Sequence, residues 1–497
     1  LLRNLDGYLA EDVTHHQAAT LPLYVDLDGT LVHTDVAQEL LVAALARPGN
    51  WRPILAAWHR HGVSGIKHAV WNRDGFHPAL LPYDDTVLDY LRSARAQGRR
   101  IVLATAADRQ AAEAIAVHLG LFDAVLASEP GHNLKGAAKL AAIRGDSAGP
   151  FEYLGDGAAD IPIWRAAQKA GFVRPDAAAR AEMQAAGPRL SLTTDPAPPV
   201  WRGLWAAMRP HQWAKNVLVF LPLFFAHLYT EPGALLLAGL AFAAMSLMAS
   251  GVYLINDLLD IPADRRHVRK RLRPFAAGLL RPAQGVGAAL ALLVAALALG
   301  FGAVGLPFGL VLLLYLGLTT AYSLALKRFS TIDVIVLSLL YTVRILAGAA
   351  AGGIILSPWL LSFSLFFFVS LAYMKRFIEL DAVTEDAKLP HRNYWGAELA
   401  SIQIFGIANA AVSLLTLAQY INSPTARETY GGRDILWLAV PLMMFWIYRS
   451  WMWAIRGKVG DDPVVFALTD RISQITLTAV LAVFFAARYL EFSGVIR

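Results

Sequence analysis

The chain has 497 residues, 56% hydrophobic and only 16% charged, an imbalance that excludes a single soluble globule and leaves room for more than one domain. It contains no cysteine, so disulfides, thiolate metal sites and cysteine nucleophiles are excluded outright. The formal net charge of +6 is modest, and Lys and Arg gather beside apolar runs, which suits a lipid bilayer and phosphorylated substrates and argues against nucleic acid as a partner.

Nothing from Leu1 to His16 has the apolar core of a signal peptide. From Leu21, LPLYVDLDGTLVHTD reads as a buried strand, Leu23 to Val25, that delivers Asp26 and Asp28 at its carboxyl end, where open parallel sheets hold their ligands. RRIVLATAAD is a second such strand, ending at Thr105, and FEYLGDGAAD a third, leading to Asp156 and Asp160. Between them NLKGAAKL places Lys135 and Lys139 at a helix start. Strands alternating with helical stretches predict a doubly wound, Rossmannoid α/β sheet.

Those four pieces, in that order, resemble the motifs of the haloacid dehalogenase (HAD) phosphatases: D-x-D-G-T at Asp26 to Thr30, Thr105, a Lys taken as Lys135, and G-D-G-x-x-D at Gly155 to Asp160. The resemblance implies that Asp26 attacks phosphorus and that Asp28 protonates the leaving alkoxide and then activates water. It also implies Mg²⁺ held by Asp26, Asp28, Asp156 and Asp160, with Thr105 and Lys135 on the transferring phosphoryl oxygens. The stretch from Thr30 to Arg99 leaves room for a helical cap containing Trp51, Trp58 and Trp71. His59, His61 and His68 in this insert read as solvated helix-face residues.

Beyond Arg174 the periodicity fades into an Ala- and Pro-rich linker. The boundaries expected are 1–193 for the phosphatase-like domain, 194–210 for linker and interfacial helix (WRGLWAAM, 201–208), and 211–497 for the membrane domain. Nine apolar runs follow, near 214–230, 233–255, 284–303, 305–325, 332–352, 355–374, 400–421, 434–453 and 472–491. Each approaches the roughly 20 residues that span a bilayer, which predicts an all-α bundle of nine transmembrane helices. The basic connections, 265–281, 327–328, 375–392 and 449–471, alternate with poor ones. The positive-inside bias then puts the N-terminal domain and every charged membrane motif on the cytoplasmic side of the inner membrane, with the C-terminus outside.

One connection is denser than the rest. YLINDLLDIPADRRHVRKRLRPFAAG ends an apolar run in Asn256, Asp257, Asp260 and Asp264 and continues with Lys270, Arg271 and other cations. On a continuous helix, at about 100° per residue, the four polar groups would share roughly a quarter-turn of one face. Carboxylates so crowded at a membrane edge need cations, and all-oxygen ligands suit Mg²⁺ that shares its shell with substrate phosphate.

The pattern N-D-x-x-D-x-x-x-D followed by D-R-x-H-x-x-K-R-x-R-P resembles the first aspartate-rich motif of the UbiA superfamily of intramembrane prenyltransferases. RPHQWAKN (209–216), AYSLALKR (321–328), YTVRILAGA (341–349), AYMKRFIEL (372–380) and DDPVVFALTDR (461–471) resemble its polyprenyl-phosphate phosphoribosyltransferase branch. The resemblance implies Mg²⁺ on Asp257, Asp260, Asp264 and Glu379, with Asp257 and Asp260 catalytic. Substrate contacts are implied for Lys215, Asn256, Lys270, Arg271, Tyr322, Lys327, Arg344, Lys375 and Arg376. Arg344, which interrupts an apolar span, has a structural alternative in pairing with a helix carbonyl or Glu379. In place of the second acidic D-x-x-x-D motif of aromatic prenyltransferases stands the mixed KRFIELDAVTED. The expected substrates are 5-phosphoribosyl 1-diphosphate (PRPP) and a polyprenyl phosphate of the decaprenyl type, the HAD-like domain then removing the 5-phosphate. An aromatic prenyltransferase fused to an unrelated phosphatase is the competing reading.

Overall fold

A computed structural model of the chain describes residues 21–490 except 46, 48, 72–75, 390–391 and 461. The signal-peptide expectation at Leu1 to His16 and the first Asp of DDPVVFALTDR therefore lie outside the described residues. Two compact units emerge: one of Leu1–Met208 with Tyr253–Ala289, the other of Arg209–Val252 with Leu290–Arg497.

The first unit is built on six strands: β1 Leu23–Val25, β2 Ile101–Asp108, β3 Ala124–Ser128, β4 Glu152–Gly155, β5 Lys169–Phe172 and β6 Leu190–Thr193. All pair in parallel, in the order β3-β2-β1-β4-β5-β6. The central strands are apolar without alternation because both faces are covered. Leu23, Val25, Ile101 and Leu103 pack into one core, whereas Tyr24, Val102, Tyr153 and Trp164 pack into the other. The flanking helices start on side-chain caps that satisfy orphan N–H groups: Asp84 accepts from Val87 N, Asp108 from Gln110 N and Asp176 from Ala179 N. β2 runs on past Thr105 to Asp108, its register with β3 shifting between Ala104 and Asp108.

The cap insert comprises helices Val36–Leu45 and Trp51–Ala69, the second broken at Gly62. His59 and His61 are exposed, and His68 pairs with Asp108 at 3.1 Å. Trp71 packs on Phe76, while Trp51 and Trp58 are exposed. Helix Val200–Met208 also turns Trp201 and Trp205 outward.

Among the described residues eight helices are long and apolar enough to cross a membrane: Pro232–Leu259, Pro282–Val304, Leu306–Leu324, Ile332–Gly352, Pro358–Asp381, Gly396–Asn422, Arg433–Ile455 and Arg471–Tyr489. The protein is a multi-pass membrane protein. The remaining run, 214–230, is not one helix but a 3-10 stretch, Pro210–Phe220, followed by the short helix Leu221–Phe225. Pro210 and Pro222 remove helical donors there, and Gln212, Lys215 and Asn216 are polar. This stretch packs closely on helix Ile332–Gly352, where a Cβ on Gly348 would collide with the Val219 carbonyl.

Helix Pro232–Leu259 stops short of the acids' full length. Asp260 sits in a turn, and a separate helix, Ile261–Arg266, carries Asp264. Pro262 has no N–H to continue the ladder, so the single acidic helix face expected from spacing is split in two.

Candidate active sites

β1, β2 and β4 are neighbours, so the residues at their carboxyl ends converge. Asp26 follows β1 directly. The chain then turns at Gly29, whose φ of +83° only glycine takes readily and whose α-carbon faces the Asp156 side chain too closely for a Cβ. The turn aims Asp28 at the start of helix Val36–Leu45, where its Oδ1 accepts the Val36 N–H at 2.8 Å. Thr105 is fully buried, its hydroxyl accepting from Ala107 N at 3.0 Å.

Asp26, Asp156 and Asp160 bring one carboxylate oxygen each within 4.8 Å of one another; no other such group of three occurs among the described residues. Burial and mutual repulsion push Asp26 up to about 6 and Asp156 up to about 7. Burial also raises Asp28 well above the usual carboxylate range, the state in which it has a proton to give. Three hard oxygen donors held in register by separate elements fit a divalent cation such as Mg²⁺.

The cation that meets these acids is Lys139, where the sequence favoured Lys135. Lys139 Nζ lies 2.8 Å from Asp26 Oδ2 and 3.4 Å from Asp160 Oδ1, and donates to Tyr153 OH at 2.9 Å; Lys135 is exposed. The helix starts at Ala137, after Gly136 at φ +58°, and this start puts Lys139 on its inner face. Burial alone would depress the Lys139 ammonium, but Asp26 and Asp160 outweigh it and hold it above its ordinary value. A second cation, Lys67, comes from the cap. It donates to the Ala106 carbonyl at 2.5 Å and to Asn133 at 3.1 Å, near enough for its charge to act on Asp28. No local motif marked it; its partners lie tens of residues away.

The acids of the Tyr253–Ala289 segment are arranged differently. Arg273 donates to Asp257 Oδ1 at 3.2 Å and to both oxygens of Asp264 at 3.0 and 2.8 Å. Asp257 and Asp264 are buried, whereas Asn256 and Asp260 are half-buried. These carboxylates do not form a converging group of three as the Asp26 set does, and one nitrogen of Arg273, Nη1, meets two of them. Lys270 and Arg271 are exposed on the turn Lys270–Leu272.

In the second unit two lysines, Lys215 buried and Lys375 half-buried, share one carboxylate: Lys215 pairs with Asp462 Oδ2, and Lys375 stands 3.9 Å from the same oxygen. Asp462 is itself fixed as the cap of helix Pro463–Thr469, accepting from Val464 N and Val465 N. Sequence reading quoted its motif without choosing it, although D-P before a helix is an N-terminal signal.

Arg344 is buried. It donates to Asn216 Oδ1 at 2.9 Å, to Tyr315 OH at 3.1 Å and to the Leu340 carbonyl. Arg376 likewise serves a network. It meets the fully buried Asp333 at 2.6 Å, Tyr322 OH at 3.1 Å and Glu379. Arg392 reaches Asp333 at 3.2 Å, Tyr322 at 3.1 Å and Glu379 at 3.5 Å, and Tyr394 donates to Asp333. Glu379, expected as a metal ligand, therefore has its carboxylate between two guanidiniums. Tyr322 accepts from the same two arginines, and Lys327 is half-buried on the turn Leu326–Arg328. Asp333, an acid just inside an apolar span, is the signal the sequence held for this network.

The family model described as UbiA prenyltransferase family matches residues 216–470, and that described as haloacid dehalogenase-like hydrolase matches residues 64–165. The chain is similar to uncharacterized protein y4nM of Sinorhizobium fredii, 36% identical over 472 residues that cover 94% of this chain and 91% of that protein. It is similar to decaprenyl-phosphate phosphoribosyltransferase of Mycolicibacterium smegmatis, 30% identical over 299 residues, covering 58% of this chain and 93% of that protein. A solved UbiA homologue from Archaeoglobus fulgidus bound to GPP and Mg²⁺ matches with a TM-score of 0.43 at 16% identity, over 57% of this chain and 99% of that one.

Proposed function

Because the chain belongs to the UbiA prenyltransferase family and carries a haloacid dehalogenase-like hydrolase region ahead of it, we propose that it is a bifunctional membrane enzyme. It transfers 5-phosphoribose from PRPP to a polyprenyl phosphate of the decaprenyl type, releasing pyrophosphate, and then hydrolyses the 5-phosphate to leave polyprenyl phosphoribose. The transfer is supported by the similarity to decaprenyl-phosphate phosphoribosyltransferase over nearly all of that relative's length. The hydrolysis is carried by one observation: a buried nucleophile, Asp26, 2.8 Å from Lys139 and beside two further carboxylates, in the same chain as a transferase whose product would bear a phosphomonoester.

In the hydrolytic half, an Asp26 oxygen attacks phosphorus as the bond to the sugar 5-oxygen breaks, and Asp28 gives its proton to that oxygen. Water then cleaves the aspartyl phosphate, losing a proton to the Asp28 carboxylate, and inorganic phosphate departs. Lys139 and Thr105 hold the phosphoryl oxygens, and Lys67 adds positive charge from the cap. Mg²⁺ held by Asp26, Asp156 and Asp160, with Asp28 beside them, supplies charge that offsets the repulsion between nucleophile and phosphate.

In the transfer half, a lipid phosphate oxygen bonds to C1 of the ribose as the C1–diphosphate bond breaks. Lys215 and Lys375 are assigned to the lipid phosphate, Lys270 and Arg271 to the departing pyrophosphate, and Asp257 and Asp260 are the acids on which transfer depends. Arg273 meets Asp257 and Asp264 in this structure, and no step is assigned to a metal there. The neutralised set around Glu379 favours phosphoribosyl transfer over an aromatic prenyltransferase, which would call for a second acidic motif at that place. The chain sits in the inner membrane with both sites on the cytoplasmic side, where PRPP is available, and its C-terminus outside.

Purified full-length protein given labelled PRPP and polyprenyl phosphate tests this, with lipids read by mass spectrometry. Wild type should yield polyprenyl phosphoribose, Asp26→Asn should accumulate its 5-phosphate, and Asp257→Asn or Asp260→Asn should yield neither while keeping phosphatase activity. Absence of labelled lipid, with prenylation of a phenolic acid instead, would overturn the proposal.

A further inference from the structure

The first unit is completed by a segment far along the chain, and that segment reaches the phosphatase site. Two buried contacts fix it. Arg265 makes a two-point pair with Glu39 at 2.9 and 2.6 Å while its Nε donates to the Ala276 carbonyl at 3.0 Å. Gly278, at φ +69°, lies against His33 so closely that a Cβ would fall 2.6 Å from the His33 Cβ. A third contact, from Ala283 N–H to Gln38 Oε1 at 2.9 Å, braces the same helix whose first amide is held by Asp28.

With the segment anchored by those three, Arg281 is not needed as an anchor. Its side chain is 54% exposed, yet Nη2 lies 2.8 Å from Asp156 Oδ2, an oxygen of the converging carboxylate group. The same nitrogen stands 3.1 Å from where a Cβ on Gly29 would be, so the guanidinium sits over the D-x-D-G-T turn. Lys139, only 3% exposed, belongs to the floor of the site, whereas Arg281 belongs to its rim. A rim cation cannot serve the phosphoryl group bound against Asp26, but it is placed for a second anion on the same substrate.

We propose that Arg281 is a specificity residue of the phosphatase site, released from Asp156 when a divalent ion takes that oxygen and then bound by the second anion of the substrate. This rests on the reading above, in which the substrate carries a phosphodiester at C1 as well as the scissile 5-phosphate. Planar guanidinium on phosphate is a strong, charge-assisted pair, and the exchange keeps Arg281 neutralised in both states.

The test uses full-length protein and two synthetic substrates: a short-chain prenyl phosphoribose 5-phosphate, and ribose 5-phosphate, which has the same monoester without the second anion. Arg281→Gln should lower kcat/KM for the two-anion compound about tenfold, mostly through KM, and change ribose 5-phosphate less than about twofold. Arg281→Lys should restore much of that KM. Mn²⁺ binding followed by electron paramagnetic resonance, scored as the part that Asp156→Asn removes, should tighten a few-fold in Arg281→Gln because a competitor for Asp156 is gone. Equal losses on both substrates, no loss on either, unchanged Mn²⁺ binding, or a wild type without preference for the two-anion compound would each overturn it. Because both substrates are synthetic, the result does not depend on whether the membrane half makes such a lipid, which the labelled-PRPP experiment decides separately.

Discussion

Two acidic clusters lie in the first unit, and their carboxylates are arranged differently. At the sheet, Asp26 comes from the end of β1 and Asp156 and Asp160 from the stretch after the neighbouring β4, and the ammonium of Lys139 lies among them. In the Tyr253–Ala289 segment, Asp257 and Asp264 come from consecutive helical pieces, and a single nitrogen of Arg273, Nη1, donates to both. At the sheet Lys139 Nζ also meets two acids and Arg281 reaches the third, so the difference lies in the carboxylates themselves, which converge at the sheet and form no such group in the other segment among the described residues. Acid count alone, equal at three in either place, does not tell which set of carboxylates converges.

The sharpest way to break this comparison is at the lysines. Lys139→Ala should reduce phosphatase turnover by about a hundredfold or more, because Asp26 and the phosphoryl oxygens lose their buried cation, while Lys135→Ala should stay within about twofold. Comparable losses in both variants would return the role to Lys135. Next comes Arg273→Gln, which leaves two buried carboxylates without their bridge. It should cost about 2 kcal/mol, less than a fully buried pair because Arg273 is partly exposed, and lower the Tm of the purified protein. Millimolar Mg²⁺ should recover more of that Tm in the variant than in wild type if the freed acids then take a cation. The smallest effect is on pH. Asp26 near 6 and Asp156 near 7 must lose protons to ligate an ion, so ion affinity at the sheet site should fall as pH drops from about 8 to about 6, by roughly tenfold. Calorimetry showing proton uptake instead of release on binding would contradict that sign.

Much of this was legible because the sheet site is written in short local motifs. Asp26, Asp28, Thr105, Asp156 and Asp160 each sit at or near a strand end, and strand ends of a parallel sheet converge by topology. Lys139 was harder: NLKGAAKL offers two lysines, and the choice depends on where Gly136 lets the helix begin. Apolar length found the eight long helices but not the 3-10 path of 214–230, whose prolines and polar residues override its hydropathy. Arg344 interrupts an apolar span and Arg376 and Glu379 stand in the mixed KRFIELDAVTED stretch, yet their partners Asn216, Tyr315, Asp333 and Arg392 come from elements distant in sequence. Spacing marks a buried charge as important without naming its partner.

The pair between Glu39 and Arg265 closes a loop of 226 residues. During synthesis the N-terminal sheet leaves the ribosome well before that arginine exists, and one long apolar helix must enter the bilayer in between. The sheet-based fold thus stays open at one wall until membrane insertion has begun. A fragment cut at the Pro-rich linker would leave Glu39 with Thr34 but without its arginine, and His33 without the Gly278 backbone against it, a poor starting point for producing the N-terminal part alone.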